Sequence, residues 1–587
     1  MPRAVPGIVA FNAGELSPLL YGRVDLQKYP SGCRTMENFL PTSQGAATRR
    51  PGTKYVAATK GNAVARLIPF EFSTTQAYII EVTAGFFRFY KDGGQIETSP
   101  GVPYELAHGY SLSDLDKLQW AQSADTLYLV TTGVAPAKLT RTGHTSWTLT
   151  SISFTSTPAE WTGTNYPGSV AFFDERLFFA GTPAQPQTVW GSKSNDFENM
   201  TIGSAADDAL KFTLVDDQMN AVKWLSAQKV LLIGTAGGEF SVQASSLNEA
   251  LTPSNLTARR QTTVGSYGLM PARVGAATIY VQRADRKLQE IVYSYENDSY
   301  VSPELTLLAG HVTRPGIRGI AWQQEPWRLM WTVLQDGQLA AMTYMRDQQV
   351  VAWHRHPLGG TNAKALSVAC IPGATEVETW LVVERTINGS TKRYVERMAS
   401  EFWATSTSDK ADCIFVDSAI TYSGVAATSI GSLGHLVGET VQVLADGATH
   451  PDCVVSAGGT ITLQRAATKV QIGLACPARL ETMELEAGAQ DGTAQTRRRR
   501  ISEVGIRLFQ TLGCKVGYVD EDGEETLETV YFRGPADAMD TSPPLFTGDK
   551  VVPFPPRIAR SARVLVVQDQ PLPCTVAALV PRIMTTE

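Results

Sequence analysis

The sequence predicts an all-β protein built around β-propeller-like repeats of about 50 residues each. The stretch 331–353 alternates apolar and polar residues and is interrupted by short polar turns at 335–337 and 346–348. Period-two runs separated by such turns are typical of consecutive antiparallel strands. Similar runs recur along the chain with no helical periodicity between them. The alternation of apolar and polar residues, the recurrence of these runs and the lack of helical periodicity therefore predict a propeller-like all-β fold.

Seven units share this pattern, and their first apolar strands are centred near residues 79, 127, 177, 232, 279, 329 and 380. Successive centres lie about 47 to 55 residues apart, close to the length of one four-stranded blade. One blade cannot bury both faces of its sheet, so neighbouring blades must stack. The alternative is a β-sandwich with evenly spaced hairpins. The number of repeats favours the propeller, while spacing alone leaves the blade count open.

Length and composition exclude several classes of protein. A chain of 587 residues with 43% hydrophobic residues is long enough for several domains. The net charge of -6 argues against a general nucleic-acid binder held by phosphate neutralisation. Seven scattered cysteines without CxxC spacing indicate reduced, packed thiols rather than a metal site. No apolar run is long enough for a membrane span, and the N-terminus lacks a signal-peptide core, so we expect a protein made without export.

Four regions follow in order. Residues 1–60 form an N-terminal arm outside the repeats, and residues 61–400 form the propeller-like domain. Beyond residue 400 the pattern changes, and short strands split by Asp-Gly and Gly-Gly turns predict a small β-barrel module over 401–486. Alternation resumes after residue 500 and predicts a C-terminal β domain over 487–587, packed back as a β-sandwich platform.

The arm is rich in polar and turn residues and is expected to be largely extended. The spacing allows a short helix over 25–38, with Tyr29, Cys33, Met36 and Phe39 on one face, although Pro30 and Gly32 weaken it. On physical grounds alone, the arm would wrap on the first blade.

Four short elements of the arm occur together in one known family. They are Asn12-Ala13-Gly14-Glu15-Leu16-Ser17, Tyr29-Pro30-Ser31-Gly32-Cys33-Arg34, Glu37-Asn38, and Gln44-Gly45 leading to Arg50-Pro51-Gly52-Thr53. They resemble the N-terminal signature of the tail tubular protein B, or tail nozzle, family of short-tailed bacteriophages and related prophages. Looser matches cover 167–199, 207–245 and 262–289, so the resemblance spans much of 8–310.

The resemblance implies a structural virion protein without a catalytic site or cofactor. Such proteins form a ring, here a homohexamer, below the portal and adaptor, and genome DNA leaves through it. The implied partners are further copies of the chain, the head-to-tail adaptor protein and tail fibres. Double-stranded DNA would pass the lumen without sequence-specific binding. The implied location is the virion tail, after assembly in the host cytoplasm.

The repeats contain few candidates for chemistry. Three acidic pairs are candidates for the two catalytic carboxylates of a glycosidase: Asp174-Glu175, Asp207-Asp208 and Asp216-Asp217. Adjacent strand residues point to opposite faces, which favours turn or surface roles instead. His354 and His356 are interpreted as surface or interface residues, and the glycine-rich 234–238 as a hairpin turn rather than a phosphate loop. No catalytic, cofactor-binding or metal-binding residue is predicted.

The strongest charge feature is the run Arg497, Arg498, Arg499 and Arg500. Three roles are open for these arginines. They could face the lumen and touch DNA, bind a neighbouring subunit or the adaptor, or flank the next strand without a role of their own. Tight phosphate contacts would slow DNA, so an intersubunit or adaptor contact is favoured. Two rival functions stay open at this stage: a fibre-anchoring or host-receptor-binding tail protein, and a propeller hydrolase acting on host polysaccharide.

Overall fold

Seven antiparallel sheets form a β-propeller in the computed structural model, which describes residues 3–246, 249–406, 409–486, 495–535, 537–538 and 541–586. Each of the seven sequence centres lies in the second strand of one blade. The propeller prediction is confirmed, and the described residues contain seven blades.

Blades 1 to 6 are built from consecutive segments. Blade 1 contains Arg66–Ser73, Gln76–Thr83, Phe86–Lys91, Gly94–Gln95 and Glu105–Ala107, with a small hairpin of Glu97–Ser99 and Val102–Pro103. Blade 2 contains Gln119–Ser123, Thr126–Thr131, Val134–Gly143 and Ser146–Ser151. Blade 3 contains Ser169–Phe173, Arg176–Ala180, Thr188–Gly191 and Leu210–Thr213. Blade 4 contains Val222–Ala227, Leu231–Thr235, Glu239–Ala244 and Leu256–Thr262. Blade 5 contains Ala272–Val274, Ala277–Val281, Leu288–Ser294 and Ser299–Val301, and blade 6 contains Ile317–Gln323, Leu329–Leu334, Leu339–Met345 and Val350–Arg355.

Strand alternation builds the propeller core, because successive side chains enter opposite blade interfaces. In blade 2, Leu127 and Leu129 pack against blade 1, whereas Tyr128 and Val130 pack against blade 3. Each pair of adjacent blades shares its own apolar cluster, including blades 7 and 1. The circle of sheets therefore closes without an open face between blades.

The arm, residues 3–60, closes the propeller on its last blade. Blade 7 takes three strands from Thr361–Pro372, Val377–Ile387 and Ser390–Met398, and its fourth is the arm strand Thr53–Ala58. The arm also pairs with the outer strand of blade 6, where Gly14 lies opposite Trp353. The arm strands thus complete the sheets of blades 6 and 7, and the expected contact with the first blade forms only at the end of the arm, where Val56 and Ala57 pack against Ile79 and Tyr90.

Two large sheets continue from the propeller through the arm into the C-terminal half, and a third sheet joins the arm to the C-terminal half. The ten-stranded sheet extends blade 6 through Gly14–Glu15, Gly32–Glu37, Ala478–Thr482, Leu565–Gln568, Lys515–Val519 and Glu525–Thr529. The eight-stranded sheet extends blade 7 through Thr53–Ala58, Val416–Ile430, Ile461–Ala475, Thr440–Ala445 and Ala448–Val454. The six-stranded sheet contains Arg3–Ala4, Phe39–Pro41, Ala47–Arg49, Thr575–Thr586, Arg498–Thr511 and Phe546–Pro553.

The C-terminal half is a sandwich of the ten-stranded and six-stranded sheets, and arm residues share its core. Cys33 and Met36 pack there with Val504, Val566 and Val576. The predicted 401–486 module is distributed in the structure, since its long hairpin continues blade 7 and its last strand, Ala478–Thr482, joins the sandwich. The predicted boundary at 486 and 487 adjoins 487–494, which lie outside the described residues.

Helices are few and short in the described ranges. One α-helix, Leu112–Leu115, begins at a capping box of Ser111 and Asp114. The 3-10 segments are Pro18–Leu20, Tyr29–Ser31, Lys60–Asn62, Arg346–Gln348, Asp409–Asp412 and Gly434–Leu436. None of these helices is both long and apolar enough to cross a membrane.

The helix considered over 25–38 does not form. Only the 3-10 turn Tyr29–Ser31 forms there, followed by the strand Gly32–Glu37. Pro30 and Gly32 disfavour a continuous helix, and the strand gains hydrogen-bonded neighbours on both sides.

Candidate functional site

A buried polar hub joins the arm, the propeller and the C-terminal half. Arg50 donates through its two Nη atoms to both carboxylate oxygens of Asp417 at 2.9 and 2.8 Å, and through Nε to Asn38 Oδ1 at 2.8 Å. Asp417 also accepts the backbone N–H groups of Thr53 and Gly359 at 3.1 and 2.8 Å. Both charged side chains are fully buried, so the pair holds segments together and offers no access to substrate.

A second buried ion pair lies beside the first. Arg385 donates from both Nη atoms to Glu396, with Nη2 at 3.0 Å from Oε2. Thr53 Oγ1 donates to Glu396 at 2.6 Å, and Arg385 Nε donates to the Gly359 carbonyl at 2.6 Å. Thr53 and Gly359 therefore connect the two pairs into one network that spans blade 7, the arm and strand Val416–Ile430.

The charges in this hub are fixed at neutral pH. Burial raises the pKa of Asp417, but the Arg50 guanidinium outweighs burial and brings the pKa down to about 2. Removing one partner of a fully buried pair leaves an uncompensated charge, which typically costs about 3 to 5 kcal/mol. The hub is therefore a structural centre rather than a catalytic one.

Glu15 forms a smaller junction on the other side of the arm. It is 1% exposed and accepts the backbone N–H of Met36 at 3.0 Å. Arg355 Nε lies 2.9 Å from Glu15 Oε1, and His311 Nε2 lies 2.8 Å from the same oxygen. Glu15 thereby ties the arm to the outer strand of blade 6 and to the segment that precedes this blade.

Two glycines of the arm permit close backbone approach at these junctions. Gly14 has a φ of +67°, and a Cβ there would lie 2.5 Å from the Trp353 carbonyl oxygen. A Cβ at Gly52 would lie 1.9 Å from the Val416 carbonyl oxygen. Both positions therefore require glycine. Both belong to the elements that carry the family resemblance, so those elements coincide with the places where the arm is fixed.

An aromatic groove, the junction groove, opens between blade 6 and the six-stranded sheet. Its volume is about 640 Å³, and five aromatic side chains line it: Trp327, Phe402, Trp403, Phe415 and Phe509. Trp403 is 63% exposed, and its ring lies 5.0 Å from that of Phe509. Large exposed aromatics around a concavity are typical of binding surfaces.

Carboxylates collect at the rim of this junction groove. Trp327 Nε1 donates to Glu401 Oε1 at 3.1 Å, and the Glu401 backbone N–H donates to Glu376 Oε2 at 3.1 Å. Burial raises the pKa of Glu401. Within the described ranges, neither of these carboxylates nor Glu325 on the rim is paired with a basic side chain, and Arg328 is the rim's exposed cation. The groove thus combines aromatic faces with two carboxylates, Glu325 and Glu401, and two guanidinium groups, Arg49 and Arg328. Arg49 already lies over the Phe415 ring, 5.3 Å from its centroid.

The propeller axis is narrow and partly filled. Trp120, Met270, Pro271 and Arg273 line two small cavities of about 380 and 400 Å³ along the inner strands. A B-DNA duplex, whose major groove alone is about 12 Å wide, requires far more space. Duplex DNA therefore does not fit along the axis of a single propeller in this arrangement.

The three acidic pairs lie at separate turns of blades 3 and 4. Asp174 and Glu175 occupy a hairpin turn with φ values of 48° and 60°. Asp207 of the second pair forms a salt bridge with Lys193 at 2.9 Å. Asp216 of the third pair forms one with Arg260 at 2.5 Å. The structure does not bring these pairs together. Residues 234–238 form the turn between two strands of blade 4.

His354 and His356 are fully buried, so their interpretation as surface or interface residues is wrong. His354 Nδ1 lies 2.6 Å from His356 Nε2, and Thr343 Oγ1 lies 3.2 Å from His354 Nε2. Burial lowers the pKa of His354 to about 3 and that of His356 as well. The arm and blade 7 cover this strand of blade 6, which sequence spacing does not reveal. Within the described part of the chain, no cluster of three or more potential metal ligands occurs.

The arginine run divides between the two faces of strand Arg498–Thr511. Arg499 is buried and donates to the Leu485 carbonyl at 2.6 Å and to Glu484 Oε2 at 3.0 Å. Arg498 and Arg500 point to the opposite face and are exposed. Arg499 thus anchors the strand, while Arg498 and Arg500 lie on its exposed face.

Sequence reasoning missed the partners of the hub. Asp417 lies 367 residues from Arg50, and nothing in the spacing links them. No local signal marked Glu396, because its strand, Ser390–Met398, also contains Lys392, Arg393 and Arg397. Buried charges in such strands require a partner, although the sequence does not say which one.

Comparisons with family models and with curated proteins give no match. Among solved structures, the chain is similar to the Neurospora crassa Pan2 WD40 domain, with 10% identity and a TM-score of 0.35 over 61% of this chain and 98% of that one. It is also similar to the RRP9 WD40 repeats, with 10% identity and a TM-score of 0.37 over 60% of this chain and 99% of that one. Likenesses this distant carry no argument about function.

Proposed function

We propose that the chain is a structural virion protein, a tail nozzle subunit whose copies form a ring-shaped conduit for genome DNA below the portal and adaptor. The proposal starts from the arm elements that resemble the tail nozzle family. In this role the protein carries no catalytic site, and its mechanism is geometric.

The observation that carries the proposal is the way the arm fixes two large parts of the chain. Arm strands continue the sheets of blades 6 and 7 into the C-terminal half, and Arg50, Thr53 and Glu15 fix the joints through buried polar contacts. A wall that confines DNA under pressure benefits from such rigid joints. The residues that make the joints lie in the elements that resemble the family.

The narrow propeller axis supports a conduit built between subunits. Because Trp120, Met270 and Pro271 line only small cavities, the lumen has to be enclosed by several copies. A closed ring of identical subunits uses heterologous contacts that join two different surfaces of each copy. The net charge of -6 suits a channel that does not retain DNA.

The test is to image the purified protein by negative-stain microscopy and weigh it by mass photometry, alone and mixed with the tail adaptor from the same genome. We expect sixfold rings with a central hole wide enough for duplex DNA, at least in the presence of the adaptor. Trimers, or monomers that ignore the adaptor and instead bind or cleave host polysaccharide, would overturn the proposal in favour of a fibre protein or a hydrolase.

A further inference from the structure

Arginine side chains gather at the propeller axis, in the cavity of about 380 Å³ that we call the axial cavity. It lies between the first strands of blades 1, 2, 5, 6 and 7. Three arginines line it: Arg66 from blade 1, Arg273 from blade 5 and Arg318 from blade 6. Its lining also contains two carboxylates, Glu71 and Asp116, so the lining has a net charge of +1.

Arg66 is fixed in place without a counter-ion of its own. Its Nη1 donates to the Leu118 carbonyl at 2.9 Å and to the Leu115 carbonyl, and its guanidinium carbon lies 5.1 Å from the centroid of the Trp120 ring. Burial lowers the pKa of Arg66 to about 10, and the nearby Arg318 lowers it further. Within the described part of the chain, Arg66 forms no ion pair. A half-buried guanidinium of this kind favours a nearby negative charge.

Asp116 compensates these arginines only in part. Its Oδ1 lies 3.5 Å from Arg318 Nη2, which is longer than a charge-assisted hydrogen bond, and its side chain is 68% exposed. Asp116 also raises the pKa of Arg66, so one exposed carboxylate faces two guanidiniums. Because water screens an exposed carboxylate, its attraction for each arginine is weak. Arg66 and Arg318 together can therefore accept a further anionic group.

The rest of the axial cavity is largely apolar. Leu269, Met270, Ile320, Val368 and the half-buried Trp322 line it. A volume of about 380 Å³ exceeds the space that one phosphate ion needs and lies in the range of small-molecule sites. Apolar walls with a few polar groups at one place are typical of such sites.

We propose that the axial cavity binds a small organic phosphate, with the phosphate group between Arg66 and Arg318 and the organic part against the apolar wall. A guanidinium donates to phosphate oxygens in a bidentate manner. A phosphate group carries nearly two negative charges at pH 7 and three acceptor oxygens, so it matches two guanidiniums better than a carboxylate does. The site lies within one propeller and does not depend on the ring function.

The test measures binding of phenyl phosphate to the full-length chain by isothermal titration calorimetry, without adaptor and at constant ionic strength. Inorganic phosphate and benzoate are titrated in parallel. We expect one phenyl phosphate per chain, bound at least about tenfold more tightly than either comparison ligand. Inorganic phosphate lacks the apolar part that the wall would bury, and benzoate has less negative charge.

Three variants assign the binding to the axial cavity. Arg318→Gln should weaken it by about tenfold or more, because a charged donor is lost. Arg66→Lys keeps the charge but lacks the planar fork and should also weaken binding. Asp116→Asn removes the competing carboxylate and should strengthen binding, a gain that loss of a merely structural contact would not give. The matched control Arg259→Gln removes an exposed arginine from the outer strand of blade 4 and should bind as the wild type does.

A wild-type chain that does not bind phenyl phosphate would overturn the proposal. So would binding that both Arg318→Gln and Arg66→Lys leave unchanged, or binding of inorganic phosphate or benzoate as tight as that of phenyl phosphate. Thermal midpoints without ligand check that each variant is folded. If Arg66→Lys lowers the midpoint, Arg318→Gln and Asp116→Asn decide the outcome, because both side chains reach solvent. None of these results bears on the conduit proposal, which is tested by ring formation.

Discussion

The propeller and the C-terminal half are built from the same kind of strands but are held together differently. In blades 2 to 6 each strand pairs with the next one along the chain. In the C-terminal half, sheets are completed by arm strands, and the Arg50–Asp417 pair joins residues 367 positions apart. The first region repeats one local unit, whereas the second depends on a few long-range contacts.

This difference predicts where the molecule is sensitive to substitution. Propeller turns rest on exposed polar contacts, each of which contributes little. The junctions of the arm rest on buried charges and on glycines that have no room for a side chain. Single substitutions should therefore act strongly at the arm and weakly at the propeller surface.

The largest effect is expected from Asp417→Asn, which leaves Arg50 buried without a counter-charge. The free energy of unfolding should fall by about 3 to 5 kcal/mol. Chemical denaturation followed by tryptophan fluorescence measures it. The exposed pair of Arg507 and Asp549 provides the control, since Asp549→Asn should leave the denaturation midpoint unchanged. Equal effects of the two substitutions would remove the distinction between a buried and an exposed ion pair.

Gly52→Ala should be the next most damaging change. Its Cβ would meet the Val416 carbonyl oxygen, a backbone atom that cannot move without disturbing the strand. Overpacking of this kind costs about 1 to 3 kcal/mol. Gly22→Ala lies in the same arm with no atom within 4 Å of the added methyl, and its thermal midpoint should match the wild type. A wild-type midpoint for Gly52→Ala would contradict the close approach.

Acid should weaken the hub within a defined pH range. The pKa of Asp417 is about 2 in the folded chain, below the usual value of about 3.9, so its contribution is complete above pH 4 and is lost as pH falls towards 2. The stability difference between wild type and Asp417→Asn should stay constant from pH 7 to 5 and then shrink by about 2 to 3 kcal/mol on further acidification. Urea titrations at each pH measure it, and a difference that stays constant down to pH 2.5 would argue against an ionised Asp417.

The smallest effect is expected at the propeller turns. Asp207→Asn removes an exposed pairing with Lys193 and should leave both the denaturation midpoint and ring formation unchanged. Mass photometry with the adaptor and a denaturation curve report on the two properties. A clear loss of either would assign this acidic pair a role that its position does not suggest.

Periodicity was sufficient to predict the propeller, because each blade buries its own alternating residues against its neighbours. The centres near 79, 127 and 177 lie in second strands of blades because the alternation is local. The number of blades needed the structure, which shows that the arm supplies the last strand of blade 7.

The arm and the candidate site could not be predicted in the same way. A buried histidine such as His354 and an exposed one look alike in the sequence when the covering strand comes from a distant segment. The groove combines Trp327, Trp403 and Phe509 from three separate parts of the chain, so no local pattern marks it. The family resemblance located the arm residues of the hub but not their partners.

Hydrogen exchange measured by mass spectrometry is the most direct test of the claim that the arm joins both halves into one rigid body. We expect amides of Gly32–Glu37 and Thr53–Ala58 to exchange as slowly as those of the blade strand Leu329–Leu334. In Asp417→Asn, both arm strands and Val416–Ile430 should exchange faster together, while blades 2 to 4 stay unchanged. Fast exchange of the arm strands in the wild type, beside a protected propeller, would contradict this account.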